Sequence, residues 1–222
     1  MSPERRATLT RPRVLDAAIN LADRDGIEAV SMRKLGQDLG IEAMSLYTHV
    51  KSKDDLLDGM ADRIVAQIPV GGGAVGWRDA LRQTILGARA VMLSHPWVAR
   101  VIEAQAEPGP ATISYMDAIA AILLDGGFNV ELAHHGLHVL GSRVLGFNQD
   151  LFDDKSAVDP DMAAAVAHEL ARVYPSVGAI ALAASHEGGL GGCDDQVEFE
   201  FGLDLVLDGL ERERARQASS RL

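Results

Sequence analysis

The 222 residues carry 21 Lys and Arg against 32 Asp and Glu, a net charge of −11, with 47% hydrophobic and only 5% aromatic residues. Such a chain can bury a sizeable core, but Leu, Ala, Val and Ile must fill it in place of rings. No apolar run reaches the roughly 20 residues of a membrane helix, the N-terminal MSPERRATLTRPR lacks the apolar core of a secretory signal, and the single Cys193 excludes an intramolecular disulfide framework, so a cytoplasmic protein with no membrane partner is expected.

The charge is unevenly spread. Residues 1–53 hold nine Lys and Arg against seven Asp and Glu, whereas the remainder holds twelve against twenty-five. One end is thus relieved of the acidity that would repel a polyanion. In chain order, Leu15, Ala18, Ile19 and Ala22 repeat at helical period between an N-cap at Thr10 and a stop at Gly26, with Pro12 tolerated in the first turn. Ser31 caps a second helix with Leu35 and Leu39 on one side, ended by Gly40. A short third helix is expected from Met44 to His49. Ser52-Lys-Asp-Asp then opens a fourth in the manner of a capping box, running through Leu56, Met60 and Ile64 to Pro69. Val70-Gly-Gly-Gly-Ala-Val-Gly76 reads as a linker. Beyond it the period predicts helices over 77–94, from Pro96, over 111–125, from Asn129 to about 152, over about 161–174 with an interruption at Tyr174-Pro175, and over 194–216. Residues 153–160 read as an acidic loop and the glycines of 188–192 as a mobile one. No alternating strand pattern persists, so the fold class expected is all-α, without internal repeats.

The segment 31–57, SMRKLGQDLGIEAMSLYTHVKSKDDLL, carries the functional signal. Two helices that cross closely need a small residue at the crossing, which Gly36 supplies, and a turn tolerant of positive φ, which Gly40 supplies. Leu35, Leu39, Ile41, Leu46 and Val50 provide the apolar positions that lock such a pair. This is the pattern of a helix-turn-helix, whose second helix enters the DNA major groove. Arg33 in the first turn of one helix, the cluster Tyr47-Thr48-His49, and Lys53 at a helix start suit phosphates and base edges. A cation at a helix N-terminus opposes the macrodipole, which makes sense where both grip a phosphate.

Residues 10–66 closely resemble the DNA-binding domain of TetR-family repressors, above all the tetracycline-repressor-like branch. The resemblance is carried by Met32-Arg33-Lys34-Leu35, Leu39-Gly40-Ile41-Glu42, Leu46-Tyr47, His49-Val50-Lys51, Lys53 and Leu56-Leu57-Asp58. It implies a three-helix N-terminal head with a fourth helix leading into a larger C-terminal helical body that binds ligand and dimerises. It implies phosphate contacts from Arg33, Tyr47, His49 and Lys53, and base contacts around Ala43, Met44 and Ser45. The full candidate set for DNA is Ser31, Met32, Arg33, Ala43, Met44, Ser45, Tyr47, Thr48, His49 and Lys53. Ala43-Met44 and Thr48 depart from the residues common in the family, so methyl contacts to thymine gain weight and the operator sequence cannot be borrowed. The expected domains are a flexible arm 1–9 (where Arg5 and Arg6 sit), a head 10–68, a body 77–216 and a flexible tail 217–222.

In the body the resemblance implies a four-helix dimer interface from residues 130–152 and 194–214. Gly141, Ser142 and Gly146 permit close approach, and Val197, Phe201, Leu203, Leu205, Leu207 and Leu210 give more apolar surface than one core needs. Expected partners are double-stranded operator DNA read as a palindrome, a second copy of the chain, and a small-molecule effector. For the effector, Met92, His95, Trp97, Gln105, Met116, His138 and Phe147 are candidates, adaptable apolar groups with a few polar anchors. His134 and His138 lie at i, i+4 and can share a face suited to zinc, but no cysteine or carboxylate completes a recognised spacing, so neither metal nor other cofactor is expected. No enzyme is expected. There is no GxSxG, the glycines of 188–192 lack the Lys-Ser/Thr of a phosphate loop, and Cys193 has acidic neighbours that disfavour a thiolate. The functional expectation is a homodimeric, ligand-released repressor. Two alternatives are an activator or co-repressor-dependent regulator of this fold, and an all-α metal- or ligand-binding protein without DNA binding.

Overall fold

The computed structural model describes residues 9–71, 73–146, 165, 168–169, 171–184 and 195–220. Within them every regular element is a helix, as the periodicity demands. The chain forms two compact units, one from the residues up to Val144 together with those from Glu213 onward, the other from Leu145–Arg212.

In the first unit, α1 (Arg11–Asp25) starts where Thr10 Oγ1 accepts the Arg13 N–H at 3.5 Å and stops at Gly26. A short 3-10 turn (Ile27–Ala29) leads to α2 (Met32–Leu39), capped by Ser31 and closed by Gly40 at φ 65°, the left-handed conformation the turn requires. Helix α3 (Ala43–Leu46) is shorter than the Met44–His49 span expected. Residues 47–49 continue only as a turn, with Thr48 Oγ1 donating to Ser45 O at 2.7 Å and competing for the carbonyl. Helix α4 (Lys53–Val65) ends before Pro69, tightening through i→i+3 bonds from Gln67 N to Ile64 O and Ile68 N to Val65 O. Its capping box is displaced. Ser52 Oγ accepts the Asp55 N–H at 3.0 Å as expected, but the Asp55 carboxylate accepts from Lys51 N at 2.7 Å and from the Arg11 guanidinium of α1.

The helices α5 (Trp77–Ser94), α6 (Val98–Ala104), α7 (Pro110–Asp125) and α8 (Val130–Gly146) follow. Asn129 caps α8 through Oδ1, which accepts the Leu132 N–H at 2.8 Å. The expected continuation of α8 to 152, the acidic loop 153–160 and the 188–192 loop lie outside the described residues. The first core combines Val14, Leu15, Ala18, Ile19, Leu21, Leu35, Leu46, Leu56, Met60 and Ile64 with Trp97, Val98 and Val101 of α6, so the head's apolar interior does not end at the head. A smaller cluster gathers Val65, Ile68 and Ala88 with Met92, Ile102, Tyr115 and Val144. At the other end of this unit, Trp77 and Phe128 meet edge-to-face at 4.8 Å, and Arg214 donates to Gly126 O at 3.0 Å.

In the second unit, α9 (Pro175–Ala184) occupies a stretch read from sequence only as an interruption; Pro175 starts this helix, since a missing N–H costs nothing at the first position. Helix α10 (Asp195–Ser219), whose residues from Glu213 onward belong to the first unit, runs three residues past the expected end. Gln217, expected in a tail, is helical and accepts the Asn129 N–H at 3.1 Å. Along α10, Phe199, Leu203, Leu207 and Leu210 are buried, while Val197, Phe201 and Leu205 stay exposed at i, i+4 and i+8.

Candidate nucleic-acid interface

The α2–α3 pair is held by a crossing too close for any side chain. A Cβ on Gly36 would meet Ile41 O at 2.9 Å and Ala43 N at 3.2 Å, and Gly36 O accepts the Ile41 N–H at 2.9 Å. Leu35, Leu46 and Val50 are buried behind this crossing, which turns the opposite side of α3 outward. There Met44 is 72% and Tyr47 46% exposed. Ser45, Thr48, Ser31 and Arg33 are exposed as well, while Met32, Ala43 and His49 are half-buried. His49 is fixed through its backbone, its carbonyl accepting from Arg11 Nη1 at 2.9 Å.

The cations of the head divide into two kinds. Arg24 pairs with Asp25 and Asp38, Lys34 with Asp25 at 2.5 Å, Arg11 with Asp55 at 2.7 Å and Arg63 with Asp16 at 2.5 Å. These pairs tie α1 to α2 and α4. Hydrogen bonds from Arg24 and Lys34 hold the Asp25 carboxyl below the usual carboxylate range, and hydrogen bonds from Arg11 do the same for Asp55. Arg33 and Lys53, by contrast, are exposed and form no ion pair among the described residues. Sequence could not separate the two kinds, because Asp25, Asp38 and Asp55 are partners only after folding. The exposed side of α3 and its flanks therefore combines hydroxyls, a phenol, a thioether and cations, Arg33 and Lys53 among them, that form no ion pair among the described residues.

Of the effector candidates, Met92 and Trp97 share the first apolar cluster, and the rings of His95 and Trp97 lie 6.1 Å apart. Met92 packs into both apolar clusters. His95 and Trp97 reach back to the head, where both contact the Asp23 carboxylate of α1. Gln105 donates from Nε2 to Asp58 Oδ1 at 3.1 Å, leaving its Oε1 buried and without a hydrogen bond. Met116 on α7 and His138 on α8 are exposed, and Phe147 lies outside the described residues. The residue overlooked is Tyr115, one position from Met116. Its hydroxyl is buried with no hydrogen-bond partner beside the Val65–Ile68–Ala88 cluster, and burial pushes its pKa well up. Helical period alone leaves the phase of α7 uncertain by a residue, since its apolar residues surround it. An open groove of about 830 Å³ between α1, α4 and Pro110 is lined instead by Asp16, Asp58, Asp62 and Arg63 and includes none of the effector candidates. The rings of His134 and His138 lie 4.6 Å apart, yet no group of three or more metal-ligating side chains occurs among the described residues. None of the described helices is long and apolar enough to cross a membrane.

Residues 14–60 match the family described as bacterial regulatory proteins, tetR family, and residues 71–214 the tetracyclin repressor-like C-terminal domain. The HTH-type transcriptional repressor DrrR1 of Streptomyces coeruleorubidus is 31% identical over 212 residues, 92% of this chain and 78% of that protein. The tetracycline repressor protein class D of Escherichia coli is 33% identical over 140 residues, 58% of this chain and 63% of that one. ActR of Streptomyces coelicolor, solved with actinorhodin, has the same fold at a TM-score of 0.72 and 28% identity, covering 94% of this chain and 99% of ActR. An N-terminal helix-turn-helix, a C-terminal helical body and these likenesses agree, and the chain belongs to the TetR family of ligand-responsive transcription regulators, which bind operator DNA as dimers.

Proposed function

We propose that this protein is a cytoplasmic homodimeric repressor, without catalytic activity or cofactor, that holds a palindromic operator and releases it when a small molecule binds. Residues 10–68 act as the DNA-binding head and 77–216 as the sensing and dimerising body. The observation that carries this reading is the division of the head's charges. Arg33 and Lys53 remain exposed and free of ion pairs among the described residues, beside Met44, Ser45, Tyr47 and Thr48, while Arg11, Arg24, Lys34 and Arg63 are ion-paired within the head. Arg33, Tyr47, His49 and Lys53 then contact phosphates, Ser31 and Met32 approach the same backbone, and Ala43, Met44 and Ser45 meet base edges.

The second copy covers the exposed Phe201 and Leu205 of α10, which a lone chain leaves in water. The effector is a small, largely apolar molecule, and the similar ActR is itself solved with a small molecule, actinorhodin. Tyr115 offers it an unused hydroxyl in an apolar setting. Binding favours a conformation whose heads no longer match the half-site spacing, with α4 carrying the shift.

Selection of random DNA fragments by the purified dimer tests the reading. Enrichment of a palindrome is expected, with at least tenfold weaker binding after Tyr47→Ala plus Lys53→Ala. Lys53→Ala alone should lower the salt slope of binding by about one. Failure to enrich any palindrome, or wild-type affinity in the double variant, refutes it.

A further inference from the structure

Helix α6 begins inside the head. Trp97, Val98 and Val101 share a core with α1 and α4, and the two polar groups that enter with them meet one acceptor. Trp97 Nε1–H donates to Asp23 Oδ1 at 2.6 Å, and His95 Nδ1 lies 2.8 and 3.0 Å from the two oxygens of the same carboxylate. Asp23 sits in the last turn of α1, where a negative charge opposes the helix macrodipole, so the local helix gives no reason for it. Its partners in the turn between α5 and α6, His95 and Trp97, do. The indole is buried, and its N–H has this one acceptor, so moving α6 without α1 strands a buried donor. Past its other end, α6 is tied to α4, where Asp58 accepts from Gln105 Nε2 at 3.1 Å and Asp62 Oδ1 accepts the Ala111 N–H at 2.6 Å.

We propose that Asp23 is a positioning residue for operator binding, a clamp on His95 and Trp97 through which the body sets the orientation of α1 and hence of the head. The inference rests on the repressor reading, and assigns to α1 a share of the coupling besides that of α4. His95 and Trp97 belong to this joint. The exposed Arg100–Glu28 pair at the same junction is a natural control, because exposed pairs contribute little.

The test uses the full-length dimer and the selected operator fragment. Asp23→Ala and Trp97→Phe should each weaken operator binding about tenfold, and the double variant should lose about the same tenfold, because both remove one interaction. Asp23→Asn keeps an acceptor for the indole and should bind within about twofold of wild type, as should Arg100→Ala. Wild-type affinity in the single variants overturns the clamp, and so do losses that multiply to about a hundredfold. Hydrogen exchange along residues 98–104 needs no DNA. Asp23→Ala should speed it at least tenfold while Asp23→Asn does not, and unchanged exchange overturns the clamp even where no operator is found. A missing palindrome with accelerated exchange would count against the repressor reading alone.

Discussion

Gly36 and Gly59 make a matched pair of tests for what holds the head together. Both lie inside helices, and a Cβ on either would approach a neighbour at 2.9 Å. At Gly36 the neighbour is backbone, the Ile41 carbonyl oxygen, with Ala43 N behind it at 3.2 Å. Neither can move without opening the α2–α3 turn, whose Gly40 and Ile41 N–H groups are already bonded to α2 carbonyls. Overpacking of this kind costs about 1–3 kcal/mol. Alanine regains about 1 kcal/mol over glycine in a helix interior, so Gly36→Ala should be destabilised by about 1 kcal/mol and at most about 2. At Gly59 the neighbours are Leu15 Cδ2 and Arg11 Nη2, the far ends of side chains, which can shift by a few tenths of an ångström more readily than backbone. There the propensity gain should dominate, and Gly59→Ala should lie between no change and a gain of about 1 kcal/mol. Thermal denaturation at one fixed protein concentration reads both, since a dimer's midpoint moves with concentration. Each kcal/mol corresponds to roughly 2–4 °C for a chain of this size. A Gly36→Ala variant melting at or above wild type would refute the argument, as would equal shifts for the two variants.

Three further outcomes follow from the same geometry. Hydrogen bonds from Arg11 hold the Asp55 carboxyl below its ordinary range, so this pair contributes stability above the unfolded pKa near 4, which is lost as pH falls through the lower folded value; the gap in urea midpoint between wild type and Asp55→Asn should be open at about pH 7 and narrow as pH falls below about 4, and a gap independent of pH would disprove the pairing. Tyr115→Phe removes a buried hydroxyl that has no partner, so ligand-free protein should be as stable as wild type or about 1 kcal/mol more so in thermal melts; a loss above about 1 kcal/mol would mean the hydroxyl is satisfied. Phe201→Glu places a charge in the exposed stripe of α10, and sedimentation should show monomer in place of dimer, whereas an intact dimer would move the interface elsewhere.

Local chemistry determined most of the head from sequence alone. Thr10, Ser31 and Ser52 cap helices because their hydroxyls find N–H groups three residues on, and Gly40 ends α2 because one residue there must be left-handed; such signals act within a single turn and need no tertiary context. Gly36 was legible for the same reason, through its spacing to Gly40. Tertiary structure alone decided which charges are spent. Arg24, Lys34 and Arg11 find carboxylates that are distant in sequence or on another helix, leaving Arg33 and Lys53 free of ion pairs among the described residues. It also separated Tyr115, half-buried with its hydroxyl enclosed, from the exposed Met116, because a helix apolar on several sides does not reveal its phase. It gave His95 and Trp97 a shared polar partner, Asp23, more than 70 residues away in sequence. A periodic pattern reports which face of a helix is buried, whereas the polar partner that a buried N–H finds depends on where another helix ends.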